Sequence, residues 1–306
     1  MQNRKEAPAP WRARQKRTME KNALELRGLT RSFDGFTLGP IDLALPEGCI
    51  LGLIGENGAG KTTTIKLLLG LLRPDAGEAH ALNRRVAGAD GAPAREAAWK
   101  AEIGAALDEP GLPDCMSAAQ LGRMFRHVYP AWDDAAFARL LDRLHVPAGK
   151  PFSALSRGTR MKLGLAVALS HGAKLLLLDE ATSGLDPLVR DDILTLLMEF
   201  TRDERHAVLL SSHIVSDLEK ACDYIALLHR GKLLLCDEKD RLAERFGVVR
   251  GDAQALGAIA PAAIRGRRDT PYGTELLVER ALLPAGTQAG AVNLEELFLY
   301  LAREAG

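Results

Sequence analysis

Residues 55–62 read Gly-Glu-Asn-Gly-Ala-Gly-Lys-Thr and stand between an apolar run, Cys49–Ile54, and the stretch KTTTIKLLLGLL at 61–72. A glycine-rich loop that leaves a strand and enters a helix is built to hold phosphate. Its glycines let the backbone curl until successive N–H groups point inward, and the new helix contributes the positive end of its dipole. Gly55, Glu56, Asn57, Gly58, Ala59 and Gly60 are therefore the candidate cradle, with Lys61 as its point charge and Thr62 and Thr63 opening the helix. The loop also dictates topology, because such a strand must lie inside a sheet whose C-terminal edge is open to a ligand.

Two further runs meet that requirement. Lys174–Leu178 is apolar after its lysine and ends in Asp179-Glu180; Ala207–Leu210 ends in Ser211-Ser212-His213. Short, wholly apolar runs that end in polar residues, with helical stretches between, describe buried parallel strands, hence an α/β chain. An apolar run ending in Asp-Glu is by itself often a strand before a solvated turn; the phosphate loop upstream gives it chemistry. On that reading Thr62 and Asp179 hold Mg²⁺, and Glu180 polarises a water for in-line attack on a γ-phosphate. His213, expected at the same edge, would hydrogen-bond the γ-phosphate and Glu180.

The rest of the chain divides by texture. Residues 1–22 carry seven basic residues among Pro and Ala with little to pack, the composition of a disordered basic extension, and Met19 offers an alternative start. From residue 23 short apolar runs appear: Ala23–Leu29, Phe36–Leu45 and Cys49–Ile54. Residues 115–145 predict two amphipathic helices, one with Leu121, Met124, Phe125 and Val128 on its apolar face, the other with Phe137, Leu140, Leu141 and Leu144. They form a helical insertion, taken as about 110–165. Residues 247–306 are expected to be a small, weakly specified accessory region, with β-like runs near Ile264 and at Glu275–Val278 and a last helix over Leu294–Ala302.

Composition bounds the partners. Lys and Arg total 40 and Asp and Glu total 40, so net charge points neither to nucleic acid nor to a polybasic membrane anchor. Cys49, Cys115, Cys222 and Cys236 are dispersed without metal-ligand spacing, as in a reducing compartment. No stretch reaches the ~18–20 apolar residues of a membrane span, and the N-terminus lacks a secretory apolar core. A cytosolic protein is expected, reaching any membrane through a protein partner.

These pieces, combined with Leu155-Ser156-Arg157-Gly158-Thr159 and Ser183-Gly184-Leu185-Asp186-Pro187, resemble the ATP-binding cassette family over about Leu24–Phe246. The first segment is similar to its signature motif and the second to its D-loop. Val128-Tyr129-Pro130-Ala131-Trp132-Asp133 and Ser211–Glu219 resemble the ATP-binding subunits of ABC-2-type exporters associated with antibiotic resistance or immunity. The resemblance implies a P-loop NTPase fold: a RecA-like α/β core with an antiparallel β subdomain and a helical insertion, over residues 23–246. It implies binding of ATP with Mg²⁺, and hydrolysis. Two cassettes, identical or different, would close head to tail, so that Ser156, Arg157 and Gly158 of one, with Asp186 of its D-loop, meet nucleotide held by the other. A separately encoded transmembrane permease would be the second partner, at the inner face of the cell membrane.

Phe33 matches the family's adenine-stacking aromatic, though a buried core Phe suits the sequence as well. Two departures stand out. The signature carries Arg157 and Thr159 where a second Gly and a Gln are usual, and Arg157 could contact phosphate or bridge the dimer. Asp108 stands where many members place the Q-loop glutamine, and is the candidate to reach Mg²⁺ there. A soluble, non-transport ATPase acting in translation or DNA maintenance is the competing expectation. Ribosome-associated relatives usually carry two cassettes and chromosome-structuring ones long coiled coils, and this sequence has neither.

Overall fold

The computed structural model describes residues 21–90, 97–108, 111–251, 256–271 and 273–304. The expected tail lies outside them except for Lys21 and Asn22. The chain enters on β1 (Asn22–Phe33), turns into β2 (Phe36–Pro46), and reaches β3 (Ile50–Ile54), whose five residues are all buried. The phosphate loop leads to α1 (Lys61–Leu68). This helix is shorter than the apolar text to residue 72 suggests. Gly70 takes φ +67°, so its N–H reaches Leu67 O at 3.1 Å and that of Leu71 reaches Lys66 O at 2.9 Å, a glycine stop that satisfies the last carbonyls. β4 (Ala76–Ala81) and β5 (Arg84–Gly88) follow. Together they complete an antiparallel sheet in the order β2-β1-β4-β5.

Next come β6 (Ile103–Ala106), α2 (Ala118–Val128), α3 (Asp134–Arg143) and α4 (Arg157–Leu169). A reciprocal cap starts α2: Ser117 Oγ accepts the Gln120 N–H at 3.3 Å, and Gln120 Oε1 accepts the Ser117 N–H at 2.8 Å. Of the apolar face expected on α2, Leu121 is buried and Met124 and Phe125 half-buried, but Val128 is exposed. It sits on the last turn, where the helix ends at Tyr129 and that ring stacks on the buried His171 instead, with centroids 4.1 Å apart. On α3 and just beyond it, Phe137, Leu141 and Leu144 are buried as expected, with Leu140 partly so.

The remaining core elements are β7 (Leu175–Asp179), α5 (Pro187–Phe200), β8 (Ala207–Ser212), α6 (Val215–Ala221), β9 (Tyr224–His229) and β10 (Lys232–Glu238). They form a six-stranded sheet, β10-β9-β3-β8-β7-β6, parallel except for β10. Side chains alternate across it, as the pleat requires. Ile50, Ile54, Leu176, Leu178, Val208, Leu210, Ile225 and Leu227 pack with the helical side. Leu51, Leu53, Leu175, Leu177, Ala207, Leu209, Ala226 and Leu228 pack with α1 and the antiparallel sheet. Burial on both faces is why these strands are written as unbroken apolar runs.

After α7 (Lys239–Arg245), β11 (Phe246–Gly251) pairs with β13 (Gly273–Glu279), which pairs with β12 (Ile264–Thr270). The chain closes on α8 (Leu294–Glu304). This region is better specified than its Gly- and Ala-rich text suggests: Phe246, Val248, Leu277, Leu297 and Tyr300 belong to the core of the helical side. The Arg250 guanidinium hydrogen-bonded to Glu275 holds that carboxyl below its ordinary range, and burial pushes the Tyr300 hydroxyl up to about 12.

Candidate nucleotide site

Strand register assembles the site. β3, β8 and β7 are adjacent and parallel, and Ile54 pairs with Ser212 while Asp179 pairs with Ser211. The phosphate loop, Asp179-Glu180 and His213 thus emerge from one edge at one level. Gly58 and Gly60 take φ of +82° and +111°, and a Cβ on Gly60 would lie 2.6 Å from Leu38 Cδ1. No side chain could follow the curl there.

Lys61 is only 5% exposed. Its Nζ donates to Gly55 O at 2.6 Å and lies 3.3 Å from Glu180 Oε1. Asp179, 1% exposed, accepts from Thr62 Oγ1 at 2.7 Å and from Ser211 Oγ at 2.5 Å. Glu180 turns at φ +54°, uncommon for a residue with a side chain and a mark of a constrained functional turn. Its N–H donates to Ser211 O at 3.1 Å, and its Oε2 is 2.7 Å from His213 Nδ1. Lys61, Glu180 and His213 therefore form one continuous polar chain from the cradle to the sheet edge.

The other expected residues fall elsewhere. Ser156 caps α4, its Oγ accepting the Thr159 N–H at 3.2 Å. Gly158, in the first turn, faces Leu185, whose Cδ2 would be 2.8 Å from an added Cβ. Asp186 caps α5, accepting the Val189 N–H at 3.1 Å. Glu56 and Asn57 are exposed, Ala59 is buried and Thr63 is half-buried. Phe33 is 41% exposed, so it is not a core residue; Arg31 lies 5.3 Å from its ring centroid. Asp108 does not join the Thr62–Asp179 pair. Its Oδ1 is 2.5 Å from the Arg157 guanidinium of the same chain, so both residues engage each other within one cassette.

Sequence reasoning missed Ser211, which fixes both Asp179 and the Glu180 backbone. The available signal was a hydroxyl at the end of an otherwise apolar strand. It also missed the pair that ties α5 to α6, Arg190 with the buried Asp217, whose partners are too far apart in sequence to announce themselves.

The arrangement suits nucleotide and metal. Thr62 and Asp179 converge two hard oxygen donors, while no cluster of three or more His, Cys, Asp or Glu that could hold a metal exists among the described residues. That suits Mg²⁺, which takes few protein ligands and relies on phosphate and water for the rest.

The model of the ABC transporter family matches residues 38–183. The chain is 35% identical to the uncharacterized ABC transporter ATP-binding protein YhcH of Bacillus subtilis, over 70% of this chain and 69% of that one. This chain belongs to the ABC transporter ATP-binding proteins. The lantibiotic transport ATP-binding protein SrtF of Streptococcus pyogenes is 30% identical, over 71% of this chain and 91% of its own. A solved ATP-binding subunit of an ABC transporter superposes with a TM-score of 0.64 at 26% identity, over 72% and 92% of the two chains. The cassette fold and the class, an ABC ATPase, follow from this membership. No described helix is long and apolar enough to cross a membrane.

Proposed function

We propose that this chain is the motor of a bacterial exporter: two cassettes close head to tail on ATP and reopen after hydrolysis, driving a separately encoded permease. The observation that carries this is the Lys61–Glu180–His213 chain, which runs from the buried lysine to an exposed histidine, beside the Thr62–Asp179 pair. In it the cradle N–H groups and Lys61 bind the β and γ phosphates, and Thr62 and Asp179 would hold Mg²⁺, which would supply positive charge to offset that of the phosphates. Glu180 orients the attacking water and accepts its proton as the bond to the ADP oxygen breaks; His213 holds Glu180 in place. Phe33, exposed at the turn between β1 and β2, offers a face for adenine.

Residues 23–246 are the motor and 247–306 an appendage in this reading. Ser156, Arg157, Gly158 and Asp186 serve the nucleotide of the second cassette, identical or different. The likeness to a lantibiotic transport protein supports export. The chain then works in the cytoplasm at the inner face of the membrane, held there by the permease and without nucleic acid.

Glu180→Gln tests the chemistry. Steady-state ATP turnover is expected to fall by about 10²–10⁴-fold while ATP-bound dimers accumulate on size exclusion; unchanged turnover removes Glu180 from this role. Transport is tested by fractionation: recovery with membranes only when the permease is co-expressed supports it, and salt-resistant sedimentation with ribosomes contradicts it.

A further inference from the structure

Two of the three residues that depart from the family pattern, Asp108 after β6 and Arg157 at the head of α4, are bonded to each other. The carboxylate Oδ1 lies 2.5 Å from the guanidinium, although the residues are separated by 49 positions in the chain. They sit on different parts of the cassette. Asp108 follows β6, the edge strand of the six-stranded sheet, and Arg157 is the first residue of the helix that Ser156 caps. The bond therefore ties the sheet to the signature.

We propose that Asp108 is a positioning residue for Arg157: it holds the guanidinium against its own cassette, and closure trades that carboxylate for the phosphate carried by the second cassette. The inference rests on the head-to-tail closure proposed above. A guanidinium suits such an exchange, because its planar fork pairs with carboxylate and phosphate in the same manner and stays charged throughout. The pair is also placed for release. The side chains are 66% and 42% exposed, and an ion pair so wetted shifts an equilibrium by about fivefold at most. A phosphate with more than one negative charge, met at the N-terminus of α4, outcompetes it. Asp108 thus sets the ATP level at which the cassettes close.

The test is a double-mutant cycle in a Glu180→Gln background, reading the ATP concentration at half-maximal dimerisation. Asp108→Asn is expected to lower that midpoint by about two- to fivefold, and Arg157→Gln to raise it. With Gln at 157, Asp108→Asn should change nothing further. Additive effects overturn the proposal. So does an Asp108→Asn shift in magnesium dependence that is equal with Arg or Gln at 157, which makes Asp108 a metal ligand instead. A second cycle, on thermal unfolding of the isolated chain, separates the latch from the closure reading. Coupled, salt-sensitive losses of Tm support the pair even if no dimer forms, and uncoupled losses overturn it.

Discussion

At the phosphate edge Lys61 and Asp179 are 5% and 1% exposed, whereas at the head of α4 the Arg157 and Asp108 side chains are 66% and 42% exposed. The buried half is held from behind by strands that are apolar on both faces, and its polar groups satisfy one another through Thr62, Ser211 and His213. The exposed half rests on helix caps and one surface ion pair. Under the proposed closure, the difference separates what a single chain preorganises from what a second chain completes. Water-excluded charges hold their geometry at little reorganisation cost, while exposed ones gain strength only when a partner removes the solvent.

The contrast can be broken first at the support of the buried half. Leu177 is fully buried in β7, and Leu177→Ala should lower the unfolding free energy by about 2–5 kcal/mol in urea. A loss under 1 kcal/mol would mean that the edge is not held from within. Lys61→Ala removes the charge of the cradle and should weaken ATP binding by about 10–100-fold in a fluorescent-nucleotide titration; wild-type affinity would remove Lys61 from the site. Ser156→Ala, on the exposed side, forfeits the cap that Thr159 uses and should cost only about 1 kcal/mol. If its thermal shift matched that of Leu177→Ala, the two halves would not differ as described.

Much of the site was legible because its chemistry is contiguous in the chain. The cradle from Gly55 to Thr62 and the Asp179-Glu180 pair are short runs whose flanks state their own backbone geometry, and each lies where the text places it. The strands β3, β7 and β8 were legible for the same reason, since burial on both faces leaves no polar position to blur them. The helix after Lys61 overran in the reading because LLLGLL is apolar throughout, and only the turn at Gly70 ends it. Val128 read as core because helical periodicity does not reveal that the last turn of α2 faces outward. The C-terminal region read as weak because β11 and β13 meet across an intervening stretch, so their pairing leaves little local trace.

The sequence by itself determined which groups gather at the C-terminal edge of the sheet, since loop curl, strand burial and carboxylate placement are local properties of a few consecutive residues. Tertiary structure alone decided that Ser211 would lock Asp179, that Arg190 would reach Asp217, and that Asp108 would turn to Arg157 rather than to the metal position. Each of these contacts joins residues distant in the chain. Which of several polar partners a side chain takes depends on strand register and helix placement, and both are set by the packing of the whole core.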